Sequence, residues 1–382
     1  MSVSAESTIL RPFFGLDKDM LVKALAEAGE PAFRATQLMQ WVYQRGVTDP
    51  AQMTDISKVL RGKLESWLPI EVPKVEREQR SEDGTIKWVL QIAGGQAVET
   101  VYIPEADRGT LCISSQAGCA LDCSFCSTAQ QGFSRNLSAS EIIGQVWFAH
   151  HALNAFGVVP RPISNVVFMG MGEPLANYSA VVPAIRVLLD DFAFGLSKRR
   201  VTVSTAGMVP FMDRLRDSVD VALAVSLHAA DDALRNELVP INRKYPLADL
   251  MGACDRYVRD TDRRTHILYE YVMLDGVNDQ PHHAKALARL LRGRSAKVNL
   301  IPFNPFPGTR YQRSSDAAIA EFHHILINSG VRATTRRTRG DDIDAACGQL
   351  VGQVKSRQSR RLGDRPLPSV TEQPLRQMTV SQ

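Results

Sequence analysis

Residues 110–137 read TLCISSQAGCALDCSFCSTAQQGFSRNL, and the string joins a strand to a cysteine cluster. Thr110–Ser114 is short, largely apolar and β-favouring. Cys119, Cys123 and Cys126 follow at C-x3-C-x2-C spacing. Three thiols packed this closely in a reducing compartment point to metal or catalysis rather than to packing. A structural zinc site needs a fourth protein ligand to complete its tetrahedron. A cubane iron–sulfur cluster on three cysteines keeps one iron open, unlike all-cysteine clusters that only carry electrons.

Beyond the string, apolar strands alternate with amphipathic stretches. Strands are expected at Thr110–Ser114, Asn165–Met169, Arg200–Ser204, Val221–Leu227, Ile267–Met273 and Lys297–Pro302. Helices are expected at Ala139–Ala155, Ala180–Leu189, Leu247–Val258, Pro281–Leu291 and Ala317–Ser329. This rhythm predicts an α/β fold, a partial (β/α)6 barrel over 105–350 with its chemistry at the C-terminal strand ends. Residues 71–104 read as a β-hairpin linker, with strands Thr85–Ile92 and Ala97–Ile103 around Gly94-Gly95. Residues 1–70 read as a helical accessory domain, with helices at Asp17–Ala28, Phe33–Arg45 and Ile56–Trp67. Residues 351–382, rich in Arg, Gln, Pro and Ser, read as a disordered tail.

Composition narrows the class. Of 382 residues 44% are hydrophobic and 23% charged, the balance of a globular protein with a large core. No basic segment followed by an apolar stretch opens the chain, and no apolar run reaches the roughly 20 residues of a membrane span. The expected location is therefore cytoplasmic, with no membrane partner. The net charge of +4 says little. Its clustering says more: Lys198–Arg200, Arg263-Arg264, Arg332 with Arg336, Arg337 and Arg339, and Arg357 with Arg360 and Arg361. Such runs are either solvated surface or contacts to nucleic acid.

The cysteine spacing resembles that of the radical S-adenosylmethionine (SAM) superfamily. Gly170-Met171-Gly172-Glu173-Pro174 ends the second core strand, where that superfamily carries a Gly-Gly-Glu-like motif. The resemblance implies a [4Fe-4S] cluster on Cys119, Cys123 and Cys126, with SAM on the open iron. Gly172, Glu173, Ser204, Ser226, Leu227, His228 and Asn304 are then the cofactor-binding residues. A carboxylate suits the cationic methionyl amine, and glycine lets backbone approach a ligand.

Longer strings narrow the match. Gly118–Leu137, RGDDIDAACGQL at 339–350, GMGEPL, VSLHA and NPFPG resemble the RlmN family of bacterial dual-specificity RNA methyltransferases, over about residues 15–350. That resemblance implies methylation at C2 of adenine 2503 in 23S rRNA and of adenine 37 in tRNA, in support of translational fidelity. Adenine C2 lies between two ring nitrogens and is too electron-poor to attack a methyl electrophile, which is why a carbon radical is needed. By resemblance, Cys347 stores a methyl group taken from one SAM, and a second SAM yields the radical that activates it, two SAM per product. Cys112 then attacks the Cys347 sulfur and leaves a transient Cys112–Cys347 disulfide, reduced each turnover. Glu99 accepts the C2 proton, a low-potential flavodoxin-type donor supplies electrons, and the chain acts as a monomer.

Read without the family, Cys112 and Cys254 are ordinary small core residues, and Glu99 is an ordinary solvent-facing strand residue. The His pairs 150–151, 282–283 and 323–324 read as structural or surface. Phe33–Gln37 with Trp41 and Tyr43 read either as an RNA-binding face or as a helical cap. Three rivals stand: the relative that methylates adenine C8, a zinc-stabilised RNA-binding protein, and a radical enzyme acting on a small molecule. The Ser127–Phe133 string favours the C2 family over the C8 one.

Overall fold

The computed structural model describes residues 11–106, 108–259, 266–345 and 348–350. Cys347, the Arg263-Arg264 pair and the expected tail over 351–382 lie outside the described residues.

The strands are β1 (Val75–Arg80), β2 (Ile86–Ile92), β3 (Gln96–Glu105), β4 (Arg108–Cys112), β5 (Gln116–Gly118), β6 (Phe133–Asn136), β7 (Asn165–Phe168), β8 (Val201–Thr205), β9 (Ala222–Ser226), β10 (Ile267–Met273), β11 (Ala296–Pro302) and β12 (Arg332–Thr335). Among the described residues ten of them form one sheet, ordered β1-β2-β3-β4-β7-β8-β9-β10-β11-β12, while β5 and β6 pair separately. From β4 to β12 neighbours run parallel, and from β1 to β4 antiparallel. The inner faces of β4, β7, β8, β10, β11 and β12 line one cavity of about 760 Å³, which is the interior of an open barrel.

All six expected core strands form, within two residues of their expected limits. The two edge strands, β1 and β12, are additional to the pattern. VEREQR and RATT are almost wholly exposed, so neither alternates apolar with polar in a way periodicity could detect. The expected hairpin is also longer in reach: β3 pairs with β4, so β1–β3 continue the barrel sheet without a break.

Helices Ala139–Ala152, Tyr178–Leu189, Leu247–Val258, Pro281–Leu291 and Asp316–Asn328 match expectation closely, joined by Val209–Val219 and Asp232–Leu238. The first opens on a capping box in which Ser138 and Glu141 satisfy each other's backbone N–H groups. In the accessory region, helices Lys18–Glu27, Phe33–Met39 and Lys58–Trp67 form, and Phe33–Met39 continues as a wider turn over Gln40–Gln44. Tyr43 packs against Phe13, Phe14 and Phe194 at 5.1–5.9 Å between ring centroids. The Trp147 indole donates to the Val42 carbonyl at 2.8 Å. Tyr43 is therefore core and offers no stacking face to a base. Trp41 remains at the surface, with Arg45 lying 4.1 Å over its ring.

The histidines behave as ordinary packing groups. His150 is buried and bonded to the Val146 carbonyl, and His151 stacks on Trp147. His282 and His283 lie ring to ring at a helix start, and His323 bonds the Ala333 carbonyl. Cys254 is buried at 1% exposure, and desolvation pushes its thiol up to about 12.

Candidate active site

The cysteine string leaves β5 and turns back through β6, and glycine makes that turn possible. Gly118 has φ +76°, and a Cβ there would lie 1.8 Å from the Gly132 carbonyl oxygen. Phe125, between two of the cysteines, packs edge-on against His228 at 4.5 Å, fixing the loop to the end of β9. His228 sits in the left-handed region at φ +60°. Its Nδ1 accepts the Val272 N–H at 3.0 Å, and burial holds the ring near a pKa of about 3, hence neutral.

Cys119, Cys123 and Cys126 line one cavity together with Gly172, Glu173, Ser204, Ser226, His228 and Asn304. Six of the seven cofactor-binding positions expected from sequence thus surround the three thiols. The exception is Leu227, whose side chain is wholly buried in the core. Its backbone still serves the site, accepting from Arg235 and donating to Glu270.

Glu173 ends the loop after β7 and is 4% exposed. Its oxygens accept the N–H groups of Ala206 (2.8 Å) and Leu175 (3.1 Å), yet burial still raises it to about 7. Gly172 has φ +97°, and a Cβ there would meet the Gln116 side chain at 2.4 Å. Gln116 in turn accepts the Glu173 N–H at 2.8 Å, so glycine at 172 lets backbone and carboxylate settle together.

The donor set fits an iron–sulfur cluster. Desolvation pushes Cys119 up to about 12 and Cys123 well above its ordinary value, and the neighbouring thiols and Glu173 add to both shifts. Thiols crowded with a carboxyl in a buried wall are stabilised as thiolates only when a cation joins them. Among the described residues no three such side chains close on a single-ion point, whereas a cubane takes each cysteine on a different iron.

Glu99 and Cys112 lie on neighbouring strands, on the sheet face that carries Ile103 and Thr110 into the barrel cavity. Val89 pairs with Glu99, Lys87 with Val101, and Val101 with Cys112. Paired residues share a sheet face, so Lys87, Glu99 and Cys112 lie on one side. The alternate residues face helix Ala139–Ala152: Trp88 packs on Phe148, and Thr100 bonds Gln145. Glu99 is diagonal to Cys112, a separation of about 7 Å between such neighbours. Glu99 is not the solvent-facing residue a lone strand Glu suggests. It is 4% exposed, and Lys87 Nζ lies 3.4 Å from its Oε1. On the far side of Cys347, Gly348 and Leu350 line the cysteine cavity, and the Gly348 carbonyl accepts the Ser127 N–H at 2.8 Å.

Two supporting residues carry no signal in the sequence. Arg235, fully buried, donates to the carbonyls of Ala206, Ser226 and Leu227 and to Asn242, tying together the ends of β8 and β9. Lys87 is the one charged residue of β2, and only strand register reveals its partner. The open barrel interior beside the cofactor cavity is strongly basic. Arg108, Arg199, Arg200, Lys297, Arg336 and Arg337 all line it.

Comparison with known proteins agrees with this geometry. The family model for the ribosomal RNA large subunit methyltransferase N-terminal domain matches residues 12–70, and that for the radical SAM superfamily matches residues 113–288. The chain is 59% identical over 346 residues to the dual-specificity RNA methyltransferase RlmN of Alkalilimnicola ehrlichii, covering 91% of this chain and 95% of that protein. The crystal structure of a radical SAM methyltransferase from Sphaerobacter thermophilus superposes with a TM-score of 0.83 at 45% identity, covering 89% of this chain and 99% of that one.

Proposed function

The chain belongs to the RlmN family of radical SAM RNA methyltransferases, and from that premise we propose that it methylates C2 of adenine in 23S rRNA and in the anticodon loop of tRNA. Cys119, Cys123 and Cys126 hold the [4Fe-4S] cluster, and Gly172, Glu173, Ser204, Ser226, His228 and Asn304 cradle SAM. The bound group supplies a deoxyadenosyl radical that removes hydrogen from a methyl group. Cys347 carries that methyl as a thioether, so the carbon that reaches adenine C2 is tethered to the protein. Glu99 takes the C2 proton. Once the adduct has given up its unpaired electron to the reducing system, Cys112 attacks the Cys347 sulfur and forms a disulfide; the sulfur–carbon bond breaks with its electron pair on the methylene carbon, which takes a proton to become the methyl group of the released base. One disulfide per product then requires reduction, and two SAM molecules are consumed.

The observation that carries this reading is the strand register that sets Glu99 and Cys112 diagonally on one sheet face, where a base for C2 and a thiol for the Cys347 sulfur must reach one protein–RNA adduct. The basic interior supports RNA as the substrate, since a strand threaded to a buried site needs its phosphates neutralised.

The test is mass spectrometry on RNA and protein together. Anaerobic enzyme with SAM and reductant should convert adenine to 2-methyladenine in both RNAs, and protein from cells should carry one methyl on Cys347. Cys112→Ala should co-purify with RNA bound covalently at Cys347. A methyl on another cysteine, or 8-methyladenine as product, would overturn the assignment.

A further inference from the structure

Lys87 has no part in the chemistry described so far, yet among the described residues it is one of the most deeply buried cations. Its side chain is 5% exposed and that of Glu99 6%. A buried ammonium is retained only where it is paired and hydrogen-bonded, since stripping its water costs several kcal/mol. Lys87 has two partners. Nζ lies 3.4 Å from Glu99 Oε1 and donates to the Asp344 carbonyl at 3.1 Å. Asp344 stands three residues before Cys347 in the chain.

The hairpin carrying Lys87 grips that loop elsewhere too. At the β1–β2 turn, Asp83 accepts the Gly340 N–H at 3.1 Å and lies 3.7 Å from Arg339. The Glu82 N–H donates to Asp342 at 3.3 Å. Gly340 has φ +63°, and a Cβ there would press on Thr85 at 2.9 Å, so this close approach needs glycine. These contacts fasten the loop to the hairpin. Lys87 touches both the loop, at Asp344, and Glu99.

We infer that Lys87 is a positioning residue for the methyl transfer, holding the Glu99 carboxylate toward the barrel interior while anchoring the loop that leads to Cys347. The inference rests on the reading of Glu99 as the proton acceptor. In the step concerned, the C2–H bond breaks, its electron pair stays with the ring and the proton passes to a Glu99 oxygen. Lys87 neither gains nor loses a proton. A purely structural ion pair would affect folding alone. The positioning role makes proton removal depend on the ammonium.

The test compares Lys87→Met, Lys87→Gln and Lys87→Arg in the full-length, cluster-loaded enzyme, with an RNA stem-loop bearing hydrogen or deuterium at the target C2. Lys87→Met should keep its visible absorbance and its Cys347 methyl, because neither needs the base. Its kcat should fall roughly 10- to 100-fold, part of the range a general base contributes, with KM for RNA held within about twofold. The C2-deuterium effect on kcat should grow as proton removal becomes slow. Lys87→Arg, keeping the charge, should restore both measures in large part. Lys87→Gln keeps a donor without the charge and serves if Lys87→Met fails to fold; it should share the enlarged isotope effect. Unchanged kcat and isotope effect in Lys87→Met or Lys87→Gln would overturn the role, as would loss of kcat that simply tracks loss of cluster. Glu99→Gln separates the two levels. If it turns over like the parent, the base assignment itself fails. If it is inactive while the Lys87 variants match the parent, only the role of Lys87 fails.

Discussion

The loop over 119–126 and the inner face of β2–β4 carry the two halves of the proposed site, yet they are built in opposite ways. The cysteine loop is local: its three thiols lie within eight residues, because sulfurs sharing one small cluster must be neighbours. The strand face is non-local: Lys87, Glu99 and Cys112 come from three strands and meet only through pairing register. A slip of one residue in β3 would turn Glu99 toward helix Ala139–Ala152 and empty the face of its carboxylate. A binding motif can thus be written into a short string, whereas a reaction geometry is written into a sheet.

The largest effects should separate the two regions cleanly. Replacing Cys119, Cys123 or Cys126 with Ala should abolish the visible chromophore and reduce methylation below detection. Cys112→Ala should keep the chromophore at parental intensity and still yield no free product. Ultraviolet–visible spectra and iron content read against RNA mass spectrometry settle the pair. A Cys112→Ala protein lacking iron would merge the two regions and break the comparison.

Gly172→Ala probes how tightly the cofactor loop is packed. Its Cβ would collide with Gln116 at 2.4 Å, in a backbone conformation only glycine holds cheaply. Stability should drop by about 1–3 kcal/mol, the usual cost of a strained residue, and SAM affinity by tenfold or more. Equilibrium SAM binding and denaturant midpoints measure both. Unchanged affinity would show that the loop can move aside.

The cofactor side should also be the acid-sensitive one. Burial holds His228 at about 3, below its unfolded value near 6.5. Between those values the unfolded chain binds the proton and the folded protein does not, so stability falls as pH drops through the window. The slope from this group is about 1.4 kcal/mol per unit, and it vanishes above pH 6.5. Denaturant midpoints of anaerobic protein at pH 7.5, 6.5 and 5.5 should show His228→Gln flattening that slope. An equal slope in the variant would assign it to other groups.

The smallest effect is expected from Cys254→Ala. This thiol packs beneath the sheet, so its loss should cost about 1 kcal/mol of stability and leave chromophore and turnover at parental values. Thermal unfolding with an activity assay tests it. Loss of turnover would mean that a third region takes part.

The sequence by itself determined the βα rhythm, the close spacing of the three thiols and the glycine-rich loop that lines their cavity. Each depends on residues within a few positions of one another or on a short period of hydrophobicity. Buried strands and amphipathic helices announce themselves because one face must leave water, so Ile267–Met273 and Leu247–Val258 form where their patterns place them. The charged edge strands β1 and β12 bury almost nothing, which is why their sequences carry no such mark. Family strings marked Glu99 and Cys112, but not the reason they belong together. Tertiary structure alone decided that Tyr43 is core, that Arg235 ties two strand ends, and that Lys87 faces Glu99. These follow from register and from which groups the fold strips of water together. A lone charge becomes informative only when its burial and its partner are known, and both are properties of the folded chain.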